Sequence, residues 1–286
     1  MPVQEFFEPV TLDEASSLAM ESKLPTRFLG GGTDLMIQLK ATKTPPLRLI
    51  SLKRIHEIRQ IEGYSSGEIF VGALVSHSAL SVHPEIERHF PALAKACSLV
   101  GSPSIRNMGT VGGNICNSSP AADTAPPLLA YDASLVVRQN GSDRRIKITD
   151  FFQGPGENIL RKGDILKGFL LTKMDGYCSS YEKLGYRRAM EIGIVNVCVA
   201  MKREGSLCRD IRVGLGSVAP TPIRALGAEE ILKGKKIEDG LLKMATEKAM
   251  EEITPITDLR ASADYRRAMT QVLMEKTVRS ILDTSF

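Results

Sequence analysis

Residues Phe28-Leu-Gly-Gly-Gly-Thr-Asp-Leu35 decide how the rest of the sequence is read. Phe28 and Leu29 read as the end of a short strand, and Leu35 to Lys40 as a helix. Three consecutive glycines between them lower the steric barrier to unusual backbone angles and let a ligand approach bare main chain. Adjacent N–H groups can then converge on an anion, aided by the positive end of the following helix and by the Thr33 hydroxyl. A plain strand–helix turn rarely needs three glycines, so the segment is read as a phosphate cradle. A second segment of the same character, Ile105-Arg-Asn-Met-Gly-Thr-Val-Gly-Gly-Asn114, follows about 80 residues later. It continues through Asn117-Ser-Ser-Pro-Ala-Ala-Asp123, so Thr110, Asn114, Asn117, Ser118 and Ser119 offer donors to a second phosphate or a polyol. One mononucleotide would not need two such loops, whereas a dinucleotide could use both. Asp123 reads equally well as a helix N-cap or as an acceptor for a ribose or ribityl hydroxyl.

Working outward, Thr11-Leu-Asp-Glu14 is a capping box, and Leu12, Ala15, Leu18 and Ala19 follow at helical spacing. With a strand at Leu47 to Leu52, residues 1 to about 55 form a small α/β unit. Ile58 to Ile61 and Ile69 to Val71 flank Gly63-Tyr-Ser-Ser-Gly67 as a hairpin. Pro84 and Pro91 mark two helix starts, and Pro126 and Pro127 fall in the first turn of a helix over Ala125 to Tyr131. Asn140-Gly141 between Leu135–Arg138 and Arg145–Ile148 is a strong hairpin turn. From about Tyr177 the texture changes. Strands at Tyr181–Tyr186, Val195–Arg203 and Ile211–Val218 precede helices at Ala225–Leu232, Leu241–Glu252 and Tyr265–Leu282, which predicts a separate α+β domain.

The 286 residues suggest two domains, possibly with a small third. Thirty-seven basic against 33 acidic residues leave a net charge of +4, so neither nucleic-acid binding nor an acidic disordered chain is indicated. No apolar run approaches a membrane span, no secretory leader is visible, and a cytoplasmic protein is expected. Cys97, Cys116, Cys178, Cys198 and Cys208 are odd in number and include no close pair, and only four histidines are present. No metal or iron–sulfur box is therefore predicted, and any redox chemistry must come from an organic cofactor or a partner.

Gly214-Leu-Gly-Ser-Val-Ala219 fits the dinucleotide fingerprint, but Pro220-Thr-Pro222 follows instead of a helix, so no helix N-terminus faces a pyrophosphate. Gly234-Lys235 has no partner glycine for a Walker loop. His77, in Val71-Gly-Ala-Leu-Val-Ser-His77, could line a pocket, although a surface or helix-start position is the stronger reading. No nucleophile–base arrangement is visible, and no catalytic side chain is assigned.

The two glycine loops together resemble those of the FAD-binding medium subunit of the molybdenum hydroxylases, most closely the bacterial xanthine dehydrogenase type. Val71-Gly-Ala-Leu, Asp150-Phe-Phe-Gln-Gly-Pro-Gly156 and Tyr186-Arg-Arg-Ala-Met-Glu-Ile192 extend the resemblance, in family order, over nearly the whole chain. It implies an α+β fold: a two-lobed FAD-binding domain of the PCMH or vanillyl-alcohol-oxidase type, with lobes at 1–55 and 56–176. A C-terminal α+β domain at 177–286, with a three-stranded antiparallel sheet plus helices, would follow. Carried over residue by residue, Phe28, Leu29, Gly30, Gly31, Gly32, Thr33, Asp34 and Leu35 would wrap the FAD pyrophosphate. Thr110, Val111, Gly112, Gly113 and Asn114 would form the second loop, and Asp123 would hold a polyol hydroxyl. Val100 and Gly101 would lie beside the isoalloxazine, with Leu166 packed near it. Lys183 would place a cation near flavin N1 and the C2 carbonyl, where it favours the reduced, anionic ring.

The resemblance further implies an electron-transfer flavoprotein. A molybdopterin-binding large subunit would hydroxylate substrate, a 2Fe-2S small subunit would pass electrons to FAD, and FAD would reduce NAD+ or another acceptor. Two competing readings are a self-sufficient flavin oxidase or reductase, for which no acid or base is found, and a non-catalytic nucleotide-binding protein. On the first reading the length is that of a subunit.

Overall fold

The computed structural model of the chain describes residues 2–41, 45–187 and 190–283. The first lobe contains β1 (Val3–Phe7), α1 (Leu12–Glu21), β2 (Thr26–Leu29), α2 (Leu35–Ala41) and β3 (Leu47–Ser51). The capping box forms as the sequence predicts: the Thr11 hydroxyl accepts from Glu14 N–H, and the Glu14 carboxylate accepts from Val10 N–H. The three strands are parallel in the order β1-β3-β2. Leu12, Ala15 and Ala19 of α1 close over Ile50 and Leu52, and Ile55, Ile58 and Ile165 join the same cluster. Because Ile165 belongs to the second lobe, that cluster joins the two.

The second lobe runs through β4 (Ile61–Gly63), β5 (Glu68–Gly72), α3 (His77–Ser81), α4 (Pro84–His89), α5 (Pro91–Ser98), α6 (Pro103–Met108), α7 (Val111–Cys116) and α8 (Ala125–Ala130). It continues with β6 (Ser134–Gln139), β7 (Ser142–Lys147), β8 (Phe152–Gly154), β9 (Glu157–Asn158) and β10 (Ile165–Thr172). Its main sheet is antiparallel, in the order β4-β5-β10-β6-β7. Asn140 and Gly141 take φ of 50° and 77°, the mirror-image turn expected between paired strands. Pro84 and Pro91 stand in the first turns of their helices. The strand expected at Ile58–Ile61 is displaced: His56–Ile58 is a 3-10 turn, and Ile58 is buried with its carbonyl accepting from Leu74 N–H. Two further bridges reach the first lobe. Arg138 grips Asp13 through two hydrogen bonds of 2.8 and 2.7 Å, and Ser16 donates to the Gly163 carbonyl.

The C-terminal part comprises β11 (Tyr177–Leu184), β12 (Val195–Glu204), β13 (Leu207–Gly216), β14 (Ile223–Arg224), α9 (Leu226–Leu232), α10 (Asp239–Glu252) and α11 (Ala263–Leu282). The sheet has four antiparallel strands rather than the expected three, because the two-residue β14 pairs with β13 and is too short to leave a pattern. Strand β12 is buried on both faces. Val195, Val197, Val199 and Met201 pack under the helices, whereas Cys198 and Ala200 join the core of the second lobe. That explains its unbroken apolar run. The glycines of the rejected fingerprint also find their use here. A Cβ on Gly214 would lie 2.1 Å from the Pro126 carbonyl oxygen, so β13 can meet α8 only with glycine at that position.

Among the described residues no helix is long and apolar enough to cross a membrane, and no group of three or more His, Cys, Asp or Glu is placed to hold a metal. Arg188 and Ala189 of the Tyr186–Ile192 segment lie outside the described residues.

Arg266 on α11 is buried at 3% exposure and donates to the Ile194 and Ser217 carbonyls and to Asp258. Arg266→Leu leaves those acceptors unpaired and should cost about 3 kcal/mol in a urea melt. His77 begins α3, as the helix-start reading has it, but it is buried rather than exposed, with no partner for Nδ1. Burial, reinforced by the Arg106 charge, pushes its pKa down from 6.5 to about 4. The unfolded chain therefore takes up the proton first as pH falls. Stability is full above pH 6.5 and should drop by roughly 3 kcal/mol on the way to pH 4. Denaturant midpoints of His77→Leu should lose most of that slope.

Candidate functional site

The two glycine loops meet. A Cβ on Gly31 would lie 2.1 Å from the Met108 carbonyl oxygen, and one on Gly30 would lie 3.1 Å from Thr110 Oγ1. Glycine is thus required at Gly31, where one backbone passes over the other, whereas at Gly30 the side chains of Thr110 and Leu74 would have to give by a few tenths of an ångström. Gly32, at φ +83°, turns the chain out of β2 and into α2. On the opposite side, the segment Ser102–Cys116 is not the irregular loop its composition suggests. Ser102 Oγ accepts from Ile105 N–H and starts α6, and Thr110 Oγ1 accepts from Gly113 N–H and starts α7. Gly112 is pressed against Ala73, with an added Cβ only 2.5 Å from that residue's own Cβ. Ser76 and Thr110 form an isolated bridge, and His77 N–H donates to the Gly109 carbonyl. Three segments, 28–35, 72–77 and 108–114, therefore converge on one line.

Along that line lies a cleft of about 610 Å³. Of the residues singled out from sequence, Gly30, Gly31 and Thr110 line it. Val111 and Gly112 are buried beneath, and Phe28, Leu29 and Leu35 anchor the first loop in the small cores of the first lobe. Asp34 is exposed and takes a long hydrogen bond from Thr33. Asn114 accepts from the Thr124 hydroxyl at 2.6 Å. Leu166 does not line the cleft. It pairs with Val137 within the sheet and belongs to the buried core of the second lobe.

Sequence reasoning missed a further part of the lining, which includes Lys53, Arg59, Ala79 and His83, whereas Leu74, beside Gly30, falls in the Val71–His77 segment already singled out. The missed residues come from separate segments with no shared motif, so only the pairing of β5 with its neighbours brings them together. His83 Nδ1 is buried there without a hydrogen-bond partner. The volume falls in the range of ligand sites, and this part of the lining carries cations where the loops carry N–H groups.

Asp123, Lys183, Val100 and Gly101 form a second focus. Asp123 Oδ1 accepts from Tyr181 Oη and Asn196 Nδ2, and Oδ2 accepts from Lys183 Nζ at 2.8 Å. Burial raises the Asp123 pKa, against the pull of Lys183 and the two neutral donors. Lys183 Nζ also donates to the Leu99 and Glu191 carbonyls at 3.2 and 2.9 Å. All three ammonium protons are engaged, and the charge stands directly beside Val100. Gly101, at φ +46°, accepts from Met190 N–H. Of the two readings of Asp123, the N-cap is not realised: Thr124 precedes α8, with no side-chain cap. One lone pair of Oδ2 remains for a hydroxyl donor.

A glycine crossing that no Cβ could share, an elongated cleft between two loops and a carboxylate–ammonium pair at a distance from them suit an extended dinucleotide flavin. The comparisons agree. The family described as the FAD binding domain in molybdopterin dehydrogenase matches residues 2–171, and the CO dehydrogenase flavoprotein C-terminal domain matches 179–281. The nicotinate dehydrogenase FAD-subunit of Eubacterium barkeri is 31% identical, with 98% of this chain and 96% of that protein covered. The glyceraldehyde dehydrogenase medium chain of Sulfolobus acidocaldarius is 30% identical, covering 98% and 99%. Among solved structures, a carbon monoxide dehydrogenase chain from Hydrogenophaga pseudoflava superimposes with a TM-score of 0.93 at 28% identity, over 97% of this chain and 96% of that one. The chain belongs to the FAD-binding medium subunits of the molybdenum hydroxylases, and is an oxidoreductase subunit that carries their two-domain fold.

Proposed function

We propose that this chain is the electron-transfer subunit of a heteromeric molybdenum hydroxylase of the xanthine dehydrogenase type. It would work beside a molybdopterin-binding large subunit and a 2Fe-2S small subunit in the cytoplasm. Residues 1–55 and 56–176 would be the lobes that close on the cofactor, with 177–286 as the C-terminal domain. The observation that carries the reading is the crossing of Gly30 and Gly31 over Met108 to Thr110 at the mouth of the cleft. Bound FAD would supply the step between one-electron delivery from an iron–sulfur centre and two-electron transfer to NAD+ or another acceptor.

The chain's own residues would bind and tune. Phe28 to Leu35 and Thr110 to Asn114 would present main-chain N–H groups to the pyrophosphate. Asp123 would take a polyol hydroxyl on its remaining lone pair, held in place by Tyr181 and Asn196. Lys183, fixed at the Leu99 carbonyl beside Val100 and Gly101, would hold positive charge at the pyrimidine side of the ring. Substrate choice would rest with another subunit. Relatives named for glyceraldehyde, nicotinate and xanthine stand at 30%, 31% and 29% identity, a spread too narrow to favour one substrate from this chain.

Untagged purification from the native source should bring down a molybdenum subunit and an iron–sulfur subunit with the chain, and a lone active flavoenzyme would overturn the reading. In flavin titrations Gly31→Ala, which drives a Cβ into the Met108 carbonyl, should impose about 2 kcal/mol of strain and weaken FAD binding roughly 30-fold. Lys183→Met should lower the two-electron midpoint of the bound flavin, by about 30 mV for each 1.4 kcal/mol of preference lost. An unchanged midpoint in a redox titration would remove Lys183 from the flavin's electrostatics.

A further inference from the structure

The two glycine loops leave a dinucleotide short of counter-charge. The diphosphate brings two negative charges, and the first loop adds the exposed Asp34 carboxylate beside it. Arg106 in the second loop is committed elsewhere, donating to the Val100 carbonyl at 3.1 Å. Main-chain N–H groups orient an anion but bring only partial charge. Full charges line the same cleft as Gly30 and Gly31, on the connector between β3 and β4, at Lys53 and Arg59. Neither forms an ion pair among the described residues. Arg59 is held in place by one hydrogen bond, from Nη1 to the Lys53 carbonyl at 3.2 Å, which leaves its other guanidinium donors free to meet a ligand. Other surface cations, such as Lys167 with Glu57 and Asp143 or Arg138 with Asp13 and Asp143, are held in ion pairs of their own. Two unpaired cations facing a glycine-lined cleft are therefore placed for an external anion.

We propose that Lys53 and Arg59 hold the diphosphate of the flavin dinucleotide, as a charged clamp in the cleft that the glycine loops line. The clamp rests on the reading of this cleft as the FAD site and adds to it two positioning residues that neither loop contains. Arg59 would present paired N–H groups to one phosphate, and Lys53 a point charge to its neighbour. The adjacent His83 Nδ1, buried and unpartnered, would then face the nucleoside beyond. The same chemistry would also suit the diphosphate of a nicotinamide dinucleotide. Contact of the cleft with Gly30, Gly31 and Thr110 assigns the pair to the flavin.

The test uses the full-length chain stripped of flavin, with FAD titrated against flavin fluorescence at several salt concentrations. Wild type, Lys53→Met, Arg59→Met, the double variant and Lys53→Arg are compared. Both positions are exposed, and far-UV circular dichroism with a thermal melt verifies that each variant is folded. Each single methionine substitution should raise the Kd for FAD about tenfold, and the double variant should bind more weakly still. Salt dependence should become shallower with each cation lost, and Lys53→Arg should bind nearly as wild type. If wild type binds FAD and the double variant binds it equally well at every salt concentration, the clamp is wrong and the FAD site stands. If wild type binds no FAD, the reading of the cleft falls instead. A double variant with unchanged FAD affinity but impaired NADH binding would give the pair to the acceptor and overturn the proposal.

Discussion

The Asp123–Lys183 pair is the contact on which the arrangement of the chain turns. Both side chains are 8% exposed, so each charge has left most of its water. Such a pair holds only if its remaining donors and acceptors are satisfied. Here nearly all are: Tyr181 and Asn196 donate to the carboxylate, leaving one lone pair of Oδ2, while the Leu99 and Glu191 carbonyls complete the ammonium. Asp123 belongs to the second lobe, and its three partners stand on β11 and β12 of the C-terminal sheet. One buried charged node thus fixes the register between the two parts of the chain, beside apolar contacts that alone would tolerate sliding. Cys198 and Ala200 enter the core of the second lobe from the same strand as Asn196, and Tyr131 Oη reaches Ser179 at 2.5 Å on β11. The Lys183 charge acts at Leu99 and Val100 only because the node holds the sheet there.

Glycine plays two distinct parts, and sequence distinguished them imperfectly. Gly31 and Gly112 are glycines of close approach, where another backbone or side chain occupies the space of a Cβ. Gly141 is a glycine of conformation, with positive φ and open space around it. Gly214 belongs to the first group although it sits in a pattern known for nucleotide binding, and its neighbour is a proline carbonyl of α8. The absence of a following helix was enough to reject it. What the sequence could not say is that the glycine serves the contact between β13 and α8.

Elements set by local chemistry were legible: the Thr11–Glu14 cap, the Asn140-Gly141 turn, and the proline-led starts of α4 and α5. The short helices α6 and α7 were not, because glycine and asparagine dilute their helical signal. Ser102 and Thr110, each three residues before the N–H it accepts, were the readable clue. Of the cleft's lining, the glycine segment was legible because consecutive glycines stand out in sequence, and Gly31 passes over the Met108 carbonyl there. Lys53, Arg59 and His83 were not, because ordinary surface residue types gain meaning only when β4 and β5 bring their segments together. Lys183 was visible only through family resemblance, since a lysine at a strand end otherwise reads as solvated. Its burial and three acceptors depend on partners up to 84 residues away.

The cysteines close the electrostatic account. Cys97, Cys198 and Cys208 are buried and Cys116 is half-buried, and desolvation raises the pKa of each, to about 12 for Cys116 and Cys208. Half-buried Cys178 is raised for the same reason. The thiolate is the form that reacts with oxidants and binds metals. At neutral pH these five side chains are held as thiols by the same burial that packs the cores. Cys97 lies three residues before Val100, and Cys198 two residues after Asn196, so two of them flank the node beside which the ring of the flavin would lie. If the chain passes electrons through its flavin, as proposed, this burial keeps its own sulfur out of the exchange.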